Sequence, residues 1–452
     1  MQDPVLKKIK KILPNGGIPL SECIVIDGGT RLDGEVSIGG AKNAVLKQMA
    51  ACILISDTCK LYNVPDLTDV DTMIKVLNCL GVKIEYDKVH KSLEIDASNI
   101  TGVVAPYELV SKMRASFIVL GALLSRCQEA KVAMPGGCAI GERRIDYHIK
   151  GFEALGAKVK IENGYVIAKA SKLAGADIYL DKPSVGATEN IILASVFAEG
   201  STRIQNAAQE PEIADLANFL NLAGADISGA GTSEIVINGV PKGSLKPISY
   251  TTMPDRIEAG TYMASVVATR GHAIIRNVFP NHLTFVTNKL IEIGAEVNIL
   301  EPLTMEVSCS RRPKATNIVT QPYPGFPTDM QSPFSSILAI ADGTSIVTEN
   351  LYENRFMQIG ELARMGADIH HDGNHAIIKG VEKLTGTEVK ASDLRAGGAL
   401  IVAGLSAYGR TVIQNIHHID RGYENLVDKL TSLGGHAKRV DNYKVEEPLL
   451  IK

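Results

Sequence analysis

A short pattern recurs six times along this 452-residue chain and constrains its fold more than any other feature. Each copy has apolar residues at helical spacing, then a glycine turn, then a β-rich run, and glycine commonly follows the last residue of a helix. The six copies are centred on Gly81, Gly156, Gly224, Gly294, Gly366 and Gly434. The intervals are therefore 75, 68, 70, 72 and 68 residues, and such a regular period indicates a repeat architecture.

Each repeat has the pattern helix, strand, helix, strand, strand, and with the strand before it forms a βαβαββ unit. A unit of about 70 residues buries only about 60% of its chain surface and is marginal alone, so several units are expected to share a core. The fold class predicted is α/β, with six units that combine into domains. Residues 23–40 precede the first unit, and we expect this segment to pair with the last unit and close it.

The overall composition excludes several functional classes. The formal net charge is −3, so no global basic field favours nucleic acid or an anionic membrane surface. No apolar run reaches the roughly 18–20 residues of a membrane span. The first 20 residues lack the apolar stretch of a secretory signal and are interpreted as an extension, so a cytoplasmic location is expected. The seven cysteines contain no C-x-x-C pair and the histidines lack metal-ligand spacing, which argues against a metal site.

Basic residues recur where helices are expected to begin. A cation there opposes the helix dipole, but the free N–H groups of a helix N-terminus also bind anions. We therefore favour a shared site for a polyanionic ligand. In the alternative interpretation, Asp255, Asp393 and Asp420 cap their helices and pair with the arginine that follows. The basic residues are Lys42, Arg114, Arg143, Arg144, Arg256, Arg355, Arg395 and Arg421.

Three segments carry candidate chemistry. Cys138 lies between glycines and beside two arginines, a setting typical of a reactive thiol, although an inert cysteine remains the alternative. Asp329 follows a proline-rich approach to a helix, where it is either an N-cap or a general base. The segment GGAKNA (39–44) leads to Lys42 and Asn43 and is a weak signal for a phosphate-binding loop.

Motifs along nearly the whole chain resemble those of the enolpyruvyl transferase family, in particular members that act on UDP-N-acetylglucosamine. This resemblance implies an inside-out α/β barrel of two domains, each with three βαβαββ units. It implies transfer of the enolpyruvyl group of phosphoenolpyruvate to the sugar 3′-hydroxyl, the first committed step of peptidoglycan synthesis. No metal or organic cofactor is implied. The motifs are SIGGAKNA, DVDTM, MRAS, PGGCAIG, SVGAT, EPEI, PDRIE, FPTDMQ, ENRFM, DLRA and HIDRGYE.

The resemblance also implies residue roles. Lys42 and Asn43 match the residues that bind phosphoenolpyruvate, and Arg143, Arg395 and Arg421 match arginines of the same site. Cys138 matches the acid that protonates the methylene carbon, and Asp329 the base proposed for the 3′-hydroxyl. Contacts to the UDP-sugar are implied for Arg114, Arg143, Arg144, Ile145, Asp146, Tyr147, Lys182, Pro183, Ser184, Val185, Asp329 and Leu351.

The domain boundaries and the alternatives follow from these observations. One domain is expected over 42–252, and the other over 21–41 plus 253–440, with tails at 1–20 and 441–452. The nearest alternative function is the sister reaction on shikimate 3-phosphate. Two others are a catalytically silent UDP-sugar-binding paralogue and a repeat scaffold for protein partners.

Overall fold

The computed structural model describes residues 22–135 and 145–441. Within these ranges, 3-10 helices lie at Cys52–Leu54, Arg114–Ile118, Pro280–Leu283 and Ile416–Arg421. The α-helices are α1 Lys42–Ala51, α2 Thr68–Cys79, α3 Tyr107–Val110, α4 Val119–Cys127, α5 Asp146–Ala154, α6 Val185–Ser195, α7 Pro211–Ala223, α8 Arg256–Ala268, α9 Thr284–Glu292, α10 Thr328–Leu338, α11 Gln358–Arg364, α12 Leu394–Ser406 and α13 Leu426–Ser432.

The strands alternate with these helices in the predicted order. They are β1 Cys23–Asp27, β2 Asp33–Ser37, β3 Thr58–Tyr62, β4 Lys83–Asp87, β5 Ser92–Asp96, β6 Val104–Ala105, β7 Glu129–Ala133, β8 Lys158–Glu162, β9 Tyr165–Lys169, β10 Asp177–Tyr179, β11 Ser201–Gln205, β12 Asp226–Ser228, β13 Glu234–Asn238, β14 Ser249–Thr251, β15 His272–Arg276, β16 Glu296–Glu301, β17 Thr304–Ser308, β18 Ile318–Val319, β19 Thr344–Thr348, β20 Asp368–Asp372, β21 His375–Lys379, β22 Glu388–Lys390, β23 Arg410–Gln414 and β24 His436–Val440.

These strands form six four-stranded sheets with one topology. In each sheet the first two strands are parallel and the next two pairings are antiparallel, as in β10-β11-β13-β12. The predicted α/β fold of six βαβαββ units is therefore confirmed. All six repeat glycines have a positive φ, between 78° and 109°, a backbone conformation that side chains with a Cβ rarely adopt. The repeat period in the sequence therefore reflects a glycine in the left-handed conformation, which recurs once in each unit between a helix and a strand.

The N-terminal segment contributes to two different sheets. Strand β1 lies between β23 and β24 and completes the sixth sheet, where Val25 pairs with Val412 and Lys438. Strand β2 instead pairs in parallel with β15 of the fourth sheet, so the expectation that the whole segment closes the last unit holds for β1 alone. Strand β14 supplies the corresponding edge strand of the first sheet by pairing with β3.

The helices are more deeply buried than the sheets that surround them. Every residue of α8 except Arg256 is buried, and α8, α10 and α12 pack against one another. The strands keep one face toward solvent, as in β21, where Ala376 and Ile378 are buried between exposed residues. This arrangement is the inside-out architecture that the resemblance implied.

Two large apolar clusters form the core. The first extends from Val45 to Leu245, and the second combines residues 24–38 with residues 257–433. The division into a domain over 42–252 and a domain over 21–41 plus 253–440 remains a proposal, which these separate clusters support. Within residues 22–135 and 145–441, no helix is long and apolar enough to cross a membrane.

Candidate active site

A buried carboxylate, Asp69 near the start of α2, brings two of the predicted anion-binding residues together. Lys42 places Nζ 3.2 Å from Asp69 Oδ2. Arg421 donates from Nε to Oδ1 at 2.9 Å and from Nη2 to Oδ2 at 3.4 Å. Burial acts to raise the pKa of Asp69, but the charges of Lys42 and Arg421 outweigh it and lower that pKa. Asp69 therefore forms ion pairs both with Lys42 in α1 and with Arg421 in the segment that follows β23.

Lys42 is close enough to three other charged residues of the site for each of them to change its pKa. Burial lowers its pKa, Arg395 and Arg421 lower it further, and Asp69 offsets part of this effect. It is the first residue of α1, which has no acid in its first turn and no side-chain cap from Ala41. Arg395 and Arg421 thus lie near Lys42 at a helix end with free N–H groups, an arrangement that attracts an anion.

A second carboxylate, Asp329, is held between two buried arginines. Arg395 donates from Nη2 to Asp329 Oδ2 at 2.9 Å, and Arg355 donates from Nη2 to Oδ1. Burial acts to raise the pKa of Asp329, but Arg395 and Arg355 hold it far below its usual range. The Nε–H groups of both arginines are buried and meet no acceptor within the part of the chain that the structure describes. The pair thus has donors to spare for another anion.

The N-cap interpretation of Asp329 is wrong. The helix α10 begins at Thr328 after Pro327, which provides no side-chain cap, and Asp329 lies in its first turn. Asp255 and Asp393 do cap α8 and α12 as predicted, by accepting from two backbone N–H groups each. The expected pairing of each cap with its following arginine is also wrong. Arg256 instead pairs with Glu212, at 3.0 and 3.3 Å, and Arg395 pairs with Asp329.

Unlike Asp255 and Asp393, Asp420 does not cap a helix. It lies within the 3-10 helix Ile416–Arg421, where its carboxylate pairs with Arg439 and its carbonyl accepts from Thr68 Oγ1 at 3.5 Å. This pairing leaves the guanidinium of Arg421 to Asp69 and fixes the 3-10 helix against α2.

The predicted sugar-binding residues lie on separate elements of the first core. Ser184 caps α6 by accepting from Ala187 N at 3.5 Å, and Lys182 and Pro183 before it are exposed. Ile145 is buried, and Asp146 and Tyr147 begin α5. Arg114 begins a 3-10 helix and lies close enough to His148 to contribute, after burial, to a pKa of about 3. Val185 is the first residue of α6.

Three predicted residues lie outside the described ranges, namely Cys138, Arg143 and Arg144. The remaining ones are placed as follows: Asn43 follows Lys42 in α1, and its carbonyl accepts from Lys47 Nζ at 3.3 Å. Leu351 lies in the loop after β19, close along the chain to Arg355. Among residues 22–135 and 145–441, no group of three or more His, Cys, Asp or Glu side chains is placed to hold a metal ion.

The sequence predicts no role for two residues that organise this site, Asp69 and Glu349. Asp69 lies in the quoted motif DVDTM, and the carboxylate of Glu349 lies beside Thr328. Arg355 is predicted as one of the basic residues of the anion site, but its pairing with Asp329 is not. The missing signal is spatial, because each of these side chains acts on a residue at least 21 positions away in sequence.

The family described as EPSP synthase (3-phosphoshikimate 1-carboxyvinyltransferase) matches residues 26–430. The chain belongs to the EPSP synthase family. Among its relatives, the UDP-N-acetylglucosamine 1-carboxyvinyltransferase of Gloeobacter violaceus is 52% identical over 414 residues, which cover 92% of this chain and 90% of that protein.

Other members of the EPSP synthase family extend the comparison. The UDP-N-acetylglucosamine 1-carboxyvinyltransferase 2 of Carboxydothermus hydrogenoformans is 52% identical over 93% of this chain and 100% of its own length. The crystal structure of the enolpyruvyl transferase NikO from Streptomyces tendae matches with a TM-score of 0.84 and 25% identity, over 94% of this chain and 100% of that one. An EPSP synthase from Acinetobacter baumannii, with a TM-score of 0.72 and 18% identity over 93% of this chain and 100% of that one, shares the fold.

Proposed function

We propose that this enzyme transfers the enolpyruvyl group of phosphoenolpyruvate to the 3′-hydroxyl of UDP-N-acetylglucosamine and releases phosphate. The observation that carries the proposal is the convergence of Lys42, Arg395 and Arg421 on a site that also holds the Asp329 carboxylate. The 52% identity to two UDP-N-acetylglucosamine 1-carboxyvinyltransferases supports this acceptor over shikimate 3-phosphate. The substrates bind between the two proposed domains.

The cations have a clear task in this reaction. Phosphoenolpyruvate carries a phosphate and a carboxylate, so its approach to a UDP-sugar joins two anions. Lys42, with Arg421 beside it on Asp69, binds the phosphate at the uncapped start of α1, next to Asn43. Arg395, together with Arg143, binds the other anionic groups. Positioned charges of this kind hold both substrates in reactive geometry and stabilise the charge that develops.

Asp329 is the proton acceptor for the 3′-hydroxyl in this proposal. Clamped by Arg355 and Arg395 it is a weak base, because both guanidinium groups favour its ionised form. When the carboxylate of phosphoenolpyruvate takes hydrogen bonds from Arg395, Asp329 loses one of its two partners and its pKa rises. Bound phosphoenolpyruvate thus makes Asp329 a stronger base for the 3′-hydroxyl.

The remaining steps follow from the chemistry of the substrates. The 3′-oxygen forms a bond to C2 of phosphoenolpyruvate as Asp329 takes its proton, and Cys138 gives a proton to C3. The resulting tetrahedral ketal then loses phosphate from C2 and a proton from C3, which restores the double bond as an enol ether. Arg114, Arg143, Arg144, Ile145, Asp146, Tyr147, Lys182, Pro183, Ser184, Val185 and Leu351 hold the UDP-sugar.

The test is phosphate release from phosphoenolpyruvate, with UDP-N-acetylglucosamine or shikimate 3-phosphate as the acceptor. Wild type is expected to release phosphate when UDP-N-acetylglucosamine is the acceptor but not when shikimate 3-phosphate is. The variants Cys138→Ser and Asp329→Asn are expected to lose most of this activity. Release that needs shikimate 3-phosphate would establish the sister reaction. Tight binding of UDP-N-acetylglucosamine without any release would instead establish a silent binding protein.

A further inference from the structure

Glu349 takes no part in the reaction proposed above, but its buried carboxylate connects three chain segments near Asp329. Glu349 directly follows β19, and only 2% of its surface is exposed. Its Oε1 accepts from Thr320 Oγ1 at 2.8 Å, from Leu351 N at 2.8 Å and from Tyr352 N at 3.3 Å. Its Oε2 accepts from Thr328 Oγ1 at 2.8 Å. One side chain therefore receives four hydrogen bonds from three chain segments.

The topology explains why these segments meet. Strands β18 and β19 are parallel neighbours, and Val319 pairs with Thr348, so Thr320 and Glu349 leave the sheet side by side. Thr320 also accepts from Asn350 N at 2.9 Å through the same hydroxyl that donates to Glu349. These hydrogen bonds hold the carboxylate of Glu349 in place at the end of the sheet.

The other two segments carry functional side chains. Thr328 is the first residue of α10 and immediately precedes Asp329. Leu351 begins the loop that leads to Arg355, the partner of Asp329 on its other side. Through Thr328 and Leu351, the carboxylate of Glu349 connects the start of the helix that carries Asp329 to the loop that leads to Arg355.

We propose that Glu349 is a positioning residue that fixes Asp329 and the 350–355 loop for the UDP-sugar and sets the enzyme's affinity for this acceptor. The inference rests on the proposed function. An ionised carboxylate has acceptor sites for all four donors, whereas an uncharged glutamine offers one oxygen and an NH₂ group that cannot accept. The substitution Glu349→Gln therefore keeps the volume, replaces charge-assisted hydrogen bonds by weaker neutral ones and forces Thr328 Oγ1 to accept a hydrogen bond where it now donates one. Residues that orient reacting groups in this way hold them close to the geometry that the reaction requires.

The experiment measures kcat and both KM values by phosphate release. For Glu349→Gln we expect kcat to fall and the KM for UDP-N-acetylglucosamine to rise, each about tenfold or more, while the KM for phosphoenolpyruvate stays within about twofold. Glu382→Gln is the matched control, because it makes the same chemical change at an exposed position and should behave as wild type. Glu349→Gln parameters like those of wild type, or equal increases in both KM values, would overturn the proposal.

A second pair of variants keeps the test decisive if Glu349→Gln does not fold. Thr328→Val removes one donor without changing the shape, and Thr328→Ser restores the hydroxyl. We expect the first to raise the KM for the UDP-sugar at least threefold and the second to recover most of the loss; equal values for both would refute the positioning role. A wild-type enzyme that releases no phosphate with either acceptor would count against the proposed function itself.

Discussion

At the scale of single residues, the site is a balance of buried charges. Asp69 compensates Lys42 and Arg421, and Asp329 compensates Arg355 and Arg395. Each carboxylate serves two cations, so each group keeps a net positive charge that is available to an anionic substrate. Burial strengthens this effect, since charges in a protein interior are less screened than those in water.

The first prediction concerns the compensation by Asp69. In Asp69→Asn, Lys42 and Arg421 lose their common partner, so Lys42 is less often charged and Arg421 is free to move. We expect kcat/KM for phosphoenolpyruvate to fall at least tenfold, measured by phosphate release. Asp71→Asn, on the same helix, removes a carboxylate whose side chain is 40% exposed and 3.7 Å from Lys88, and it should change kcat/KM less than twofold. Similar losses in both variants would contradict the special role of Asp69.

The second prediction concerns pH. Arg355 and Arg395 lower the pKa of Asp329, so removing one charge in Arg355→Gln must raise that pKa. At saturating phosphoenolpyruvate, where the proposed mechanism already raises the pKa of Asp329, the base is then protonated at a higher pH. The acid limb of the profile of kcat/KM for the UDP-sugar therefore moves upward by about one unit or more. Arg364→Gln, an exposed arginine on α11, should leave the limb unchanged. A downward shift in Arg355→Gln would contradict the electrostatic argument.

The sequence predicted the members of these groups better than their partners. Lys42, Arg395 and Arg421 could be proposed because each stands at a recognisable position relative to a helix. The pairing of Arg421 with Asp69 crosses 352 positions, and no local pattern encodes it. The alternative interpretation, in which each arginine pairs with the nearest aspartate, is wrong for Arg256, Arg395 and Arg421.

At the scale of elements, the repeat was predictable because its signal is local. A glycine with positive φ follows the second helix of each unit, before the next strand, and six copies at one period define six units. The exchange of β2 and β14 between units was not predictable. Both are short edge strands, and their sequences, DGEVS and SYT, do not specify which neighbour they join.

The third prediction concerns α5 and its buried histidine. Asn190 accepts from Gly121 N through Oδ1, so its Nδ2 donates to His148 Nδ1 at 3.0 Å, and the ring is neutral. Burial, with a smaller contribution from Arg114, lowers the pKa of His148 from 6.5 to about 3. The unfolded chain takes up a proton below pH 6.5 and the folded chain does not, so stability falls as the pH falls from 6.5 toward 3. At pH 5 the loss is about 2 kcal/mol.

The measurement is the thermal midpoint at pH 7 and pH 5. The drop between these values should be smaller in His148→Gln than in wild type. His272 is the control of opposite sign, because hydrogen bonds to Asp33 and Glu306 raise its pKa. Its contribution is present at low pH and is lost as the pH rises through that pKa, so His272→Gln should enlarge the drop slightly. An unchanged drop in His148→Gln would contradict the assignment.

At the scale of the whole molecule, charged pairs connect the two apolar clusters. Arg421 with Asp69, Arg256 with Glu212, and Glu424 with Lys91 each join a residue of the second core segment to one of the first. Arg421, one of the cations proposed to bind substrate, thus also belongs to a contact between the two parts. In the proposed function, an anion bound to Arg421 would act directly on this contact.

The last prediction separates this buried connection from ordinary surface pairs. The side chains of Arg256 and Glu212 are 10% and 6% exposed, so Glu212→Gln leaves a guanidinium buried without its partner. Breaking a buried pair from one side costs about 3–5 kcal/mol, whereas an exposed pair contributes about 0–1 kcal/mol. Glu234→Gln is the control, because it breaks an exposed Arg–Glu pair with Arg203 at 2.8 Å within the third sheet.

We expect urea denaturation of Glu212→Gln to begin at clearly lower concentration than in wild type, and that of Glu234→Gln to differ little. In 1 M salt, screening removes the small effect of Glu234→Gln, whereas the effect of Glu212→Gln persists because salt does not reach the buried pair. The double variant Arg256→Gln/Glu212→Gln should recover part of the loss, since no charge is then left unpaired. If the two single variants were equally stable, the buried Arg256–Glu212 pair would contribute no more to stability than an exposed pair, which would contradict this prediction.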